Sequence, residues 1–131
     1  MAFTLTPTTV YYGSDASLRE VNSQETIPPG RAVTSDGYLA DSEDEDKLDI
    51  AGVSINYSVS GKRLQLITLG ELTTGDDLSA NIAKEIVVTT EGKFEYGDEL
   101  SSGQTRIRVG YVKSQYVIDV MPYNTGIEMP A

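Results

Sequence analysis

The acidic side chains between Asp36 and Asp49 are the residues whose types and spacing come closest to a reactive or ligand-binding cluster. This segment holds seven carboxylates against the single Lys47, which gives it a net charge of −6. Carboxylate oxygens are hard ligands that suit Ca²⁺, so a calcium site is one interpretation of the run. The candidate ligands are Asp41, Glu43, Asp44, Glu45 and Asp46.

The spacing of these acids weakens the calcium interpretation. The segment lacks the central glycine and the closing glutamate that the calcium-binding loop DxDxDG requires. A dense run of like charges is typical of a solvated loop, because its members repel one another into water. A third interpretation is that the charges protect a neighbouring strand against edge-to-edge association. We expect the solvated loop.

The chain contains no histidine and no cysteine, and this absence limits the catalysis open to it. It excludes a Ser-His-Asp triad, a histidine general base, a cysteine nucleophile and the common zinc ligand sets. The enzyme class that survives is a glycosidase with two carboxylates facing each other across a cleft. The neighbouring acids Asp76 and Asp77 follow Gly75 and indicate a turn instead. We therefore predict a protein that is not an enzyme and that uses no cofactor and no metal.

The overall charge of the chain restricts its partners. Among 131 residues there are 10 basic and 20 acidic side chains, a formal net charge of −10. Nucleic-acid binding requires a clustered basic face, and anionic membranes repel an acidic surface. The first residues lack the basic start and apolar centre of a signal peptide, and no apolar run approaches the length of a membrane span. We expect neither nucleic acid nor membrane as a partner.

Two stretches show the period-two alternation that indicates β-hairpins. The first is Leu48–Leu72, where Ser60 and Gly61 supply a turn that would place Tyr57 opposite Leu64. Within this stretch the alternation changes phase at Ala51 and Gly52, as a β-bulge at a glycine would cause. The stretch therefore predicts a half-buried antiparallel pair with a bulge before it.

The second hairpin is predicted over Thr105–Val120. A loop at Ser114 and Gln115 would place Tyr111 opposite Ile118 on the buried face. The opposite face then carries two arginines, which are either a solvated pair or an anchor for a neighbour's carboxylates. These two are Arg106 and Arg108.

Strand-like segments separated by Gly, Pro and Ser turns recur along the chain, and no long helix is indicated. About eight short strands predict an all-β fold, a small antiparallel sandwich or a barrel-like (β-tulip-like) domain. We place this domain at residues 28–121, after an extended N-terminal arm at 1–27 and before a C-terminal tail at 122–131. The predicted strands begin near Arg31, Tyr38, Leu48, Lys62, Glu85, Phe94, Thr105 and Tyr116.

The two ends of the chain carry no clear period. The first 27 residues are interrupted by prolines and hold scattered apolar side chains, which is typical of a disordered leader or of an arm that orders against a partner. One short helical turn is predicted over 16–21, and the tail, with Pro130 near its end, is not expected to continue a strand. In the arm interpretation the partner-binding anchors are Phe3, Leu5, Val10, Tyr11 and Tyr12.

Five short phrases, taken in order over roughly residues 28 to 120, resemble the capsid decoration, or cement, proteins of tailed bacteriophages. Two departures from the family pattern are the acidic insertion at 41–46 and Tyr111, which follows a glycine where the family has a small residue. The phrases are Pro29-Gly30-Arg31-Ala32-Val33, Ile50-Ala51-Gly52-Val53, Leu66-Ile67-Thr68-Leu69-Gly70-Glu71, Glu91-Gly92-Lys93 and Ile107-Arg108-Val109-Gly110-Tyr111-Val112.

The resemblance implies a structural virion protein on the outer surface of the capsid, made in the host cytoplasm. Proteins of that family are small all-β domains that commonly form trimers outside an expanded icosahedral head. They bridge subunits of the major capsid protein and stabilise the head, and their N-terminal arm often becomes ordered on the shell. The resemblance therefore implies the major capsid protein as partner and a homotrimer as the assembled state.

Another class of binding protein fits the same composition. A phage tail or baseplate component, or an adhesin-type module, could recognise a sugar through exposed tyrosines. The chain has 8 tyrosines and no tryptophan, and tryptophan is the side chain that sugar-stacking platforms favour. The absence of tryptophan thus weakens the sugar-recognition interpretation.

Overall fold

The computed structural model describes residues 2–10 and 17–130 as an antiparallel, curled β-sheet that forms a half-barrel. The all-β prediction is confirmed, with nine strands in the described residues where about eight were expected. Three single-turn 3-10 helices lie at Glu45–Lys47, Ser79–Asn81 and Gly97–Glu99. The strands are β1 Pro7–Val10, β2 Ser17–Asn22, β3 Ala32–Thr34, β4 Ile50–Ser54, β5 Arg63–Thr74, β6 Glu85–Val88, β7 Phe94–Tyr96, β8 Thr105–Ser114 and β9 Val117–Glu128.

Strand β5 is the central element of the sheet. The order along the sheet is β3-β4-β5-β9-β8-β6-β7, and both β1 and β2 also pair with β5. The first part of β5 pairs with β2 and β4, whereas the part from Gly70 onward pairs with β1 and β9. Gly70 has a φ of 121°, a conformation that favours glycine. The strand therefore changes partners at a residue able to take an unusual backbone geometry.

Two apolar clusters lie on the two faces of β5. Leu64 and Leu66 belong to the smaller cluster, whereas Ile67 and Leu72 belong to the larger one, which fills the half-barrel. Successive side chains of a strand point to opposite faces, which separates Leu66 from Ile67. Leu72 lies beyond the change of partners at Gly70 and joins the cluster of Ile67, although strict alternation would place it with Leu66. The larger cluster contains Leu5, Ala32, Ala40, Val53, Ile67, Leu72, Leu78, Ile86, Val88, Phe94, Ile107, Val109, Val112, Ile118 and Val120.

The predicted pairing of the first hairpin is wrong in register. Strand β4 ends at Ser54, which pairs with Leu66, and the chain beyond it leaves the ladder. Ser58 forms a bridge with Ile27 instead of continuing along β5, and Tyr57 is 60% exposed instead of facing Leu64. The predicted turn correctly placed the reversal of the chain. However, Ser58, which was expected to extend β4, pairs with the distant residue Ile27 instead.

The predicted bulge before this hairpin is confirmed. Val33 pairs with Gly52 and Thr34 pairs with Ile50, so Ala51 is the additional residue. A side chain at position 52 would place its Cβ 2.3 Å from the carbonyl oxygen of Ile67. Glycine is required there because the backbone of β5 passes too close for any side chain.

The second hairpin is also present, with a register one residue away from the predicted one. Tyr111 pairs with Asp119, and Val112 pairs with Ile118, after an irregularity next to Gly110. A Cβ at position 110 would lie 1.8 Å from the carbonyl oxygen of Asp119. The irregularity buries Val112 in place of Tyr111 and turns the tyrosine away from the core.

Both ends of the chain contribute strands to this sheet, which differs from the predicted arm and tail. A helical turn was expected over 16–21, but the described part of that segment belongs to strand β2. Ala16, the first residue of the predicted turn, lies outside the described residues. Strand β9 runs to Glu128, so the tail continues a strand. Pro122 is accommodated because the pairing of β5 with β9 ends at Val120, which leaves β9 an edge there.

We expect Gly110→Ala to destabilise the fold by about 2 kcal/mol or more, because the added Cβ collides with backbone that cannot move without breaking the β8–β9 ladder. Gly75→Ala is the matched control, since its Cβ would meet only ordinary contacts, the nearest 3.8 Å away. Urea unfolding of both variants measures the difference. Equal midpoints for the two variants would contradict the close approach at Gly110.

Candidate partner-binding surface

The first two predicted anchors, Phe3 and Leu5, pack within the chain itself. Leu5 is 3% exposed and belongs to the larger apolar cluster. The ring of Phe3 lies 6.0 Å from that of Phe94 and 5.1 Å from that of Tyr96, measured between centroids. The anchor prediction assumed a segment without a core of its own. Leu5 corrects that assumption, because its side chain is already buried in this fold.

Backbone hydrogen bonds explain why the N-terminal segment docks on the half-barrel. Phe3 exchanges two backbone hydrogen bonds of 2.8 Å with Phe94 on strand β7. Further along, the Thr6 amide donates to Asp76 Oδ2 at 2.7 Å, and the Gly75 amide donates to the Thr6 carbonyl at 2.8 Å. Residues 2–10 thus form a strap from the β7 edge to the end of β5. We refer to this segment as the N-terminal strap.

The structure does not describe the side chains of the remaining anchors. The backbone of Val10 pairs with Leu72 through strand β1, but its side chain is not among the described ones. Tyr11 and Tyr12 lie outside the described residues. Their role in binding a partner stays a prediction.

The acidic run is partly used for local backbone capping. Asp41 accepts hydrogen bonds from the amides of Glu43 at 2.9 Å and Glu91 at 3.3 Å. Asp44 caps the first 3-10 helix by accepting from the Asp46 amide at 3.0 Å. In the part of the chain that the structure describes, no group of three or more acids is arranged to hold a metal ion. The run therefore gives no support to the calcium interpretation.

The two arginines predicted to share one face have different environments. The Nη2 atom of Arg106 lies 2.6 Å from Glu85 Oε1, and its Nη1 donates to the Gly97 carbonyl at 3.2 Å. A side chain at position 97 would place its Cβ 2.6 Å from that glutamate oxygen, so a glycine makes room for the ion pair. Arg106 is thereby committed to the fold and is not half of a solvated pair.

Arg108 instead lies between two tyrosine rings on the face of β8 and β9 that points away from the core. Its guanidinium carbon is 5.7 Å from the ring centre of Tyr111 and 5.5 Å from that of Tyr123. Its Nε donates to the carbonyl oxygen of Met121 at 3.0 Å. The two cation–π contacts and this hydrogen bond together restrict the orientation of the guanidinium.

A shallow groove of about 280 Å³ adjoins the stacked arginine. It forms where β5 turns away from β9, and Met121 belongs both to the groove and to the contacts of Arg108. Leu69 and Met121 are 43% and 37% exposed, and Tyr123 is 57% exposed. Tyr, Met and Arg are the side chains enriched at protein interfaces. We refer to Leu69, Arg108, Tyr111, Met121 and Tyr123 as the outer patch.

Sequence reasoning missed the outer patch for two reasons. The predicted register buried Tyr111, and the predicted tail excluded Tyr123 from the sheet. The available signal was the alternation of Met121 and Tyr123 after Asp119, which continues the outward face of β9 past Pro122. Pro122 was expected to end the strand, but β9 continues past it because an edge strand tolerates proline.

A second polar site lies in the interior, around Glu95. This glutamate is 8% exposed, and burial raises the pKa of its carboxyl above the ordinary value. Its neighbour Thr89 accepts from Gln104 Nε2 at 3.0 Å, and the Thr89 carbonyl accepts from the Ser42 hydroxyl at 2.7 Å. These groups form a hydrogen-bonded network between loops, with a single buried acid in it.

Comparison with known proteins adds no family assignment. No protein-family model matches the chain, and no curated protein matches it either. Within the described ranges, every helix is too short or too polar to cross a membrane. The resemblance to capsid decoration proteins therefore stays a prediction based on the quoted phrases.

We expect Leu5→Ala to lower the free energy of unfolding by about 2–5 kcal/mol, because it leaves a cavity in the larger cluster. Leu18→Ala is the matched control, since Leu18 lies on β2 and is 37% exposed. Its expected cost is below about 1 kcal/mol. Urea unfolding measures both variants, and equal small losses would show that the N-terminal strap is not docked in solution.

We expect Glu95→Gln to become increasingly more stable than the wild type as pH rises. A folded-state pKa above the unfolded one means that the wild type binds its proton more tightly when folded. Wild-type stability therefore falls between the ordinary glutamate pKa and the raised pKa, and the neutral glutamine avoids this loss. The control is Glu45→Gln, at an exposed position. Urea midpoints across this pH range measure the difference, and parallel profiles would contradict the burial effect.

Proposed function

We propose that this chain is a non-enzymatic structural protein that binds the outside of an assembled phage capsid and bridges major capsid subunits. The observation that carries the proposal is the outer patch, a set of exposed and half-buried interface-type side chains on one face of the sheet. The phrases that resemble capsid decoration proteins give the partner class. The same resemblance supports a homotrimer on the virion surface.

The mechanism follows from binding energy alone. A protein that binds the assembled shell, but not its separated subunits, shifts the equilibrium toward the shell by mass action. At a free concentration one hundred times its Kd, each occupied site would contribute about 2.7 kcal/mol. A compact half-barrel suits this role because its binding face loses little conformational entropy on docking.

A tail, baseplate or adhesin-type role is the alternative. The observation in its favour is the exposure of tyrosines elsewhere on the molecule, 60% for Tyr57 and 45% for Tyr116. Exposed aromatic rings can stack on sugars. Position on the virion separates this role from the capsid role.

The test combines localisation with shell stability. Immunogold labelling of virions with antibodies against the purified chain is expected to mark the head, and a label on the tail would favour the alternative. Addition of the chain to capsids that lack it is expected to raise their melting temperature. No binding to the capsids and no label on heads would contradict the proposal.

The predicted contribution of the N-terminal residues needs a variant that spares the strap. Deletion of residues 2–12 would also remove Leu5 from the core and so would confuse binding with folding. The double variant Tyr11→Ser and Tyr12→Ser avoids this problem. If these tyrosines anchor the chain, co-sedimentation with capsids weakens by about tenfold or more. Unchanged co-sedimentation would exclude them as anchors.

A further inference from the structure

We infer that the outer patch binds a protein segment that presents one carboxylate flanked by apolar side chains, with Arg108 as the anchor for that carboxylate. This inference deepens the proposed function and rests on it only for the identity of the partner, a segment of a capsid subunit. The patch itself indicates the chemistry of the segment.

Arg108 makes one hydrogen bond through Nε, and its two Nη groups have no hydrogen-bond partner among the described residues. Its Nε donates to the Met121 carbonyl, and its guanidinium lies within cation–π distance of the rings of Tyr111 and Tyr123. Neither Nη atom donates to any residue that the structure describes. A planar guanidinium with both Nη groups open binds a carboxylate through two parallel hydrogen bonds. Because its orientation is already restricted, little side-chain entropy is lost on binding.

Three other cations near β8 have carboxylate partners. Lys113 pairs with Glu71, Arg106 pairs with Glu85, and Lys84 lies 3.5 Å from Asp98. Across the described ranges, no carboxylate lies within ion-pair distance of Arg108. The chain has twice as many acidic as basic side chains, so carboxylates are in excess. An ordered arginine without one is therefore suited to a carboxylate from outside.

The groove beside Arg108 indicates what flanks that carboxylate. Leu69 and Met121 supply exposed apolar surface, and Asp119 is the acidic side chain among the residues lining the groove. Apolar side chains that pack against Leu69 and Met121 contribute about 25 cal/mol for each Å² of apolar surface removed from water. Asp119 repels a second acid at the same site. A segment with one carboxylate between apolar residues satisfies both conditions.

The net charge of −10 disfavours a strongly acidic partner segment. Charges beyond a Debye length, about 8 Å at physiological ionic strength, are largely screened, so a single carboxylate at Arg108 meets mainly local groups. A run of acids would extend beyond the patch toward the remaining carboxylates of the chain. Charge complementarity therefore favours one acid and disfavours several.

An acidic sugar would use the same guanidinium, but the patch suits a peptide better. Sugars favour an open aromatic face for stacking, whereas the two tyrosine rings here are engaged by Arg108. Apart from Asp119, the residues lining the groove are aliphatic side chains and a glycine, and none of them carries a ring. An acidic sugar is accordingly the competing outcome of the test.

The test is an NMR titration of the full chain with two tripeptides, acetyl-Leu-Asp-Leu-amide and acetyl-Leu-Asn-Leu-amide. The aspartyl peptide is expected to shift the Arg108 Nε–H and the amides of Met121 and Tyr123. The asparaginyl peptide is expected to bind about tenfold more weakly, since it lacks the charge-assisted pair. Glucuronate is titrated in parallel as the acidic-sugar probe.

Arg108→Gln is expected to reduce affinity for the aspartyl peptide by about tenfold. Arg63→Gln is the matched control, because it removes an exposed arginine whose partner Glu20 lies outside the patch. Spectra of both variants establish that they fold. The control is expected to bind like the wild type.

Three results would overturn the inference. One is the absence of shifts at about 20 mM aspartyl peptide, where a millimolar site is nearly saturated. The second is equal binding by the Arg108→Gln variant, and the third is stronger binding of glucuronate than of the peptide.

Capsid co-sedimentation separates the two proposals. If the wild type fails to bind capsids, the proposed function fails, whereas equal capsid binding by wild type and Arg108→Gln removes only the assigned surface.

Discussion

The change of partners along strand β5 is the constraint on which the rest of this structure depends. Its first part pairs with β2 and β4, and its second part pairs with β1 and β9, with Gly70 at the junction. Because one strand serves both regions, the sheet curls into a half-barrel instead of lying flat. The same divergence of β5 from β9 opens the groove beside Met121. Core and candidate binding surface thus have a common geometric origin.

The N-terminal strap shows how the half-barrel completes its interior. A curled sheet leaves edges and apolar surface uncovered, and residues 2–10 cover the β7 edge while Leu5 enters the core. A segment with scattered apolar residues and prolines has no internal period, so its own sequence does not show that it will dock. Its structure depends on the uncovered strand edge and apolar surface that the other strands leave. The strap therefore belongs to the fold, and the binding proposed for the outer patch needs no free arm.

Bulges determine which side chains reach the solvent face of β8 and β9. The irregularity at Gly110 buries Val112 and turns Tyr111 outward, where it stacks on Arg108 with Tyr123. A shift by one residue exchanges the two faces of a strand, so the position of the bulge decides the composition of the surface. It also separates Arg106, which pairs with Glu85 beside Gly97, from Arg108, which has no such partner in the described ranges.

The sequence by itself determined the local features of this protein. Alternating apolar residues and glycine turns located the hairpins, the bulge at Gly52 and the all-β class, because period-two patterning and turn chemistry act over a few residues. Tertiary structure decided the registers, the docking of Leu5, the extension of β9 past Pro122 and the stacking of Arg108. Each of these depends on contacts between segments far apart in the chain, such as Ile27 with Ser58 and Phe3 with Phe94. Local patterning limits which residues can face the core, but the competition among distant partners chooses which of them do.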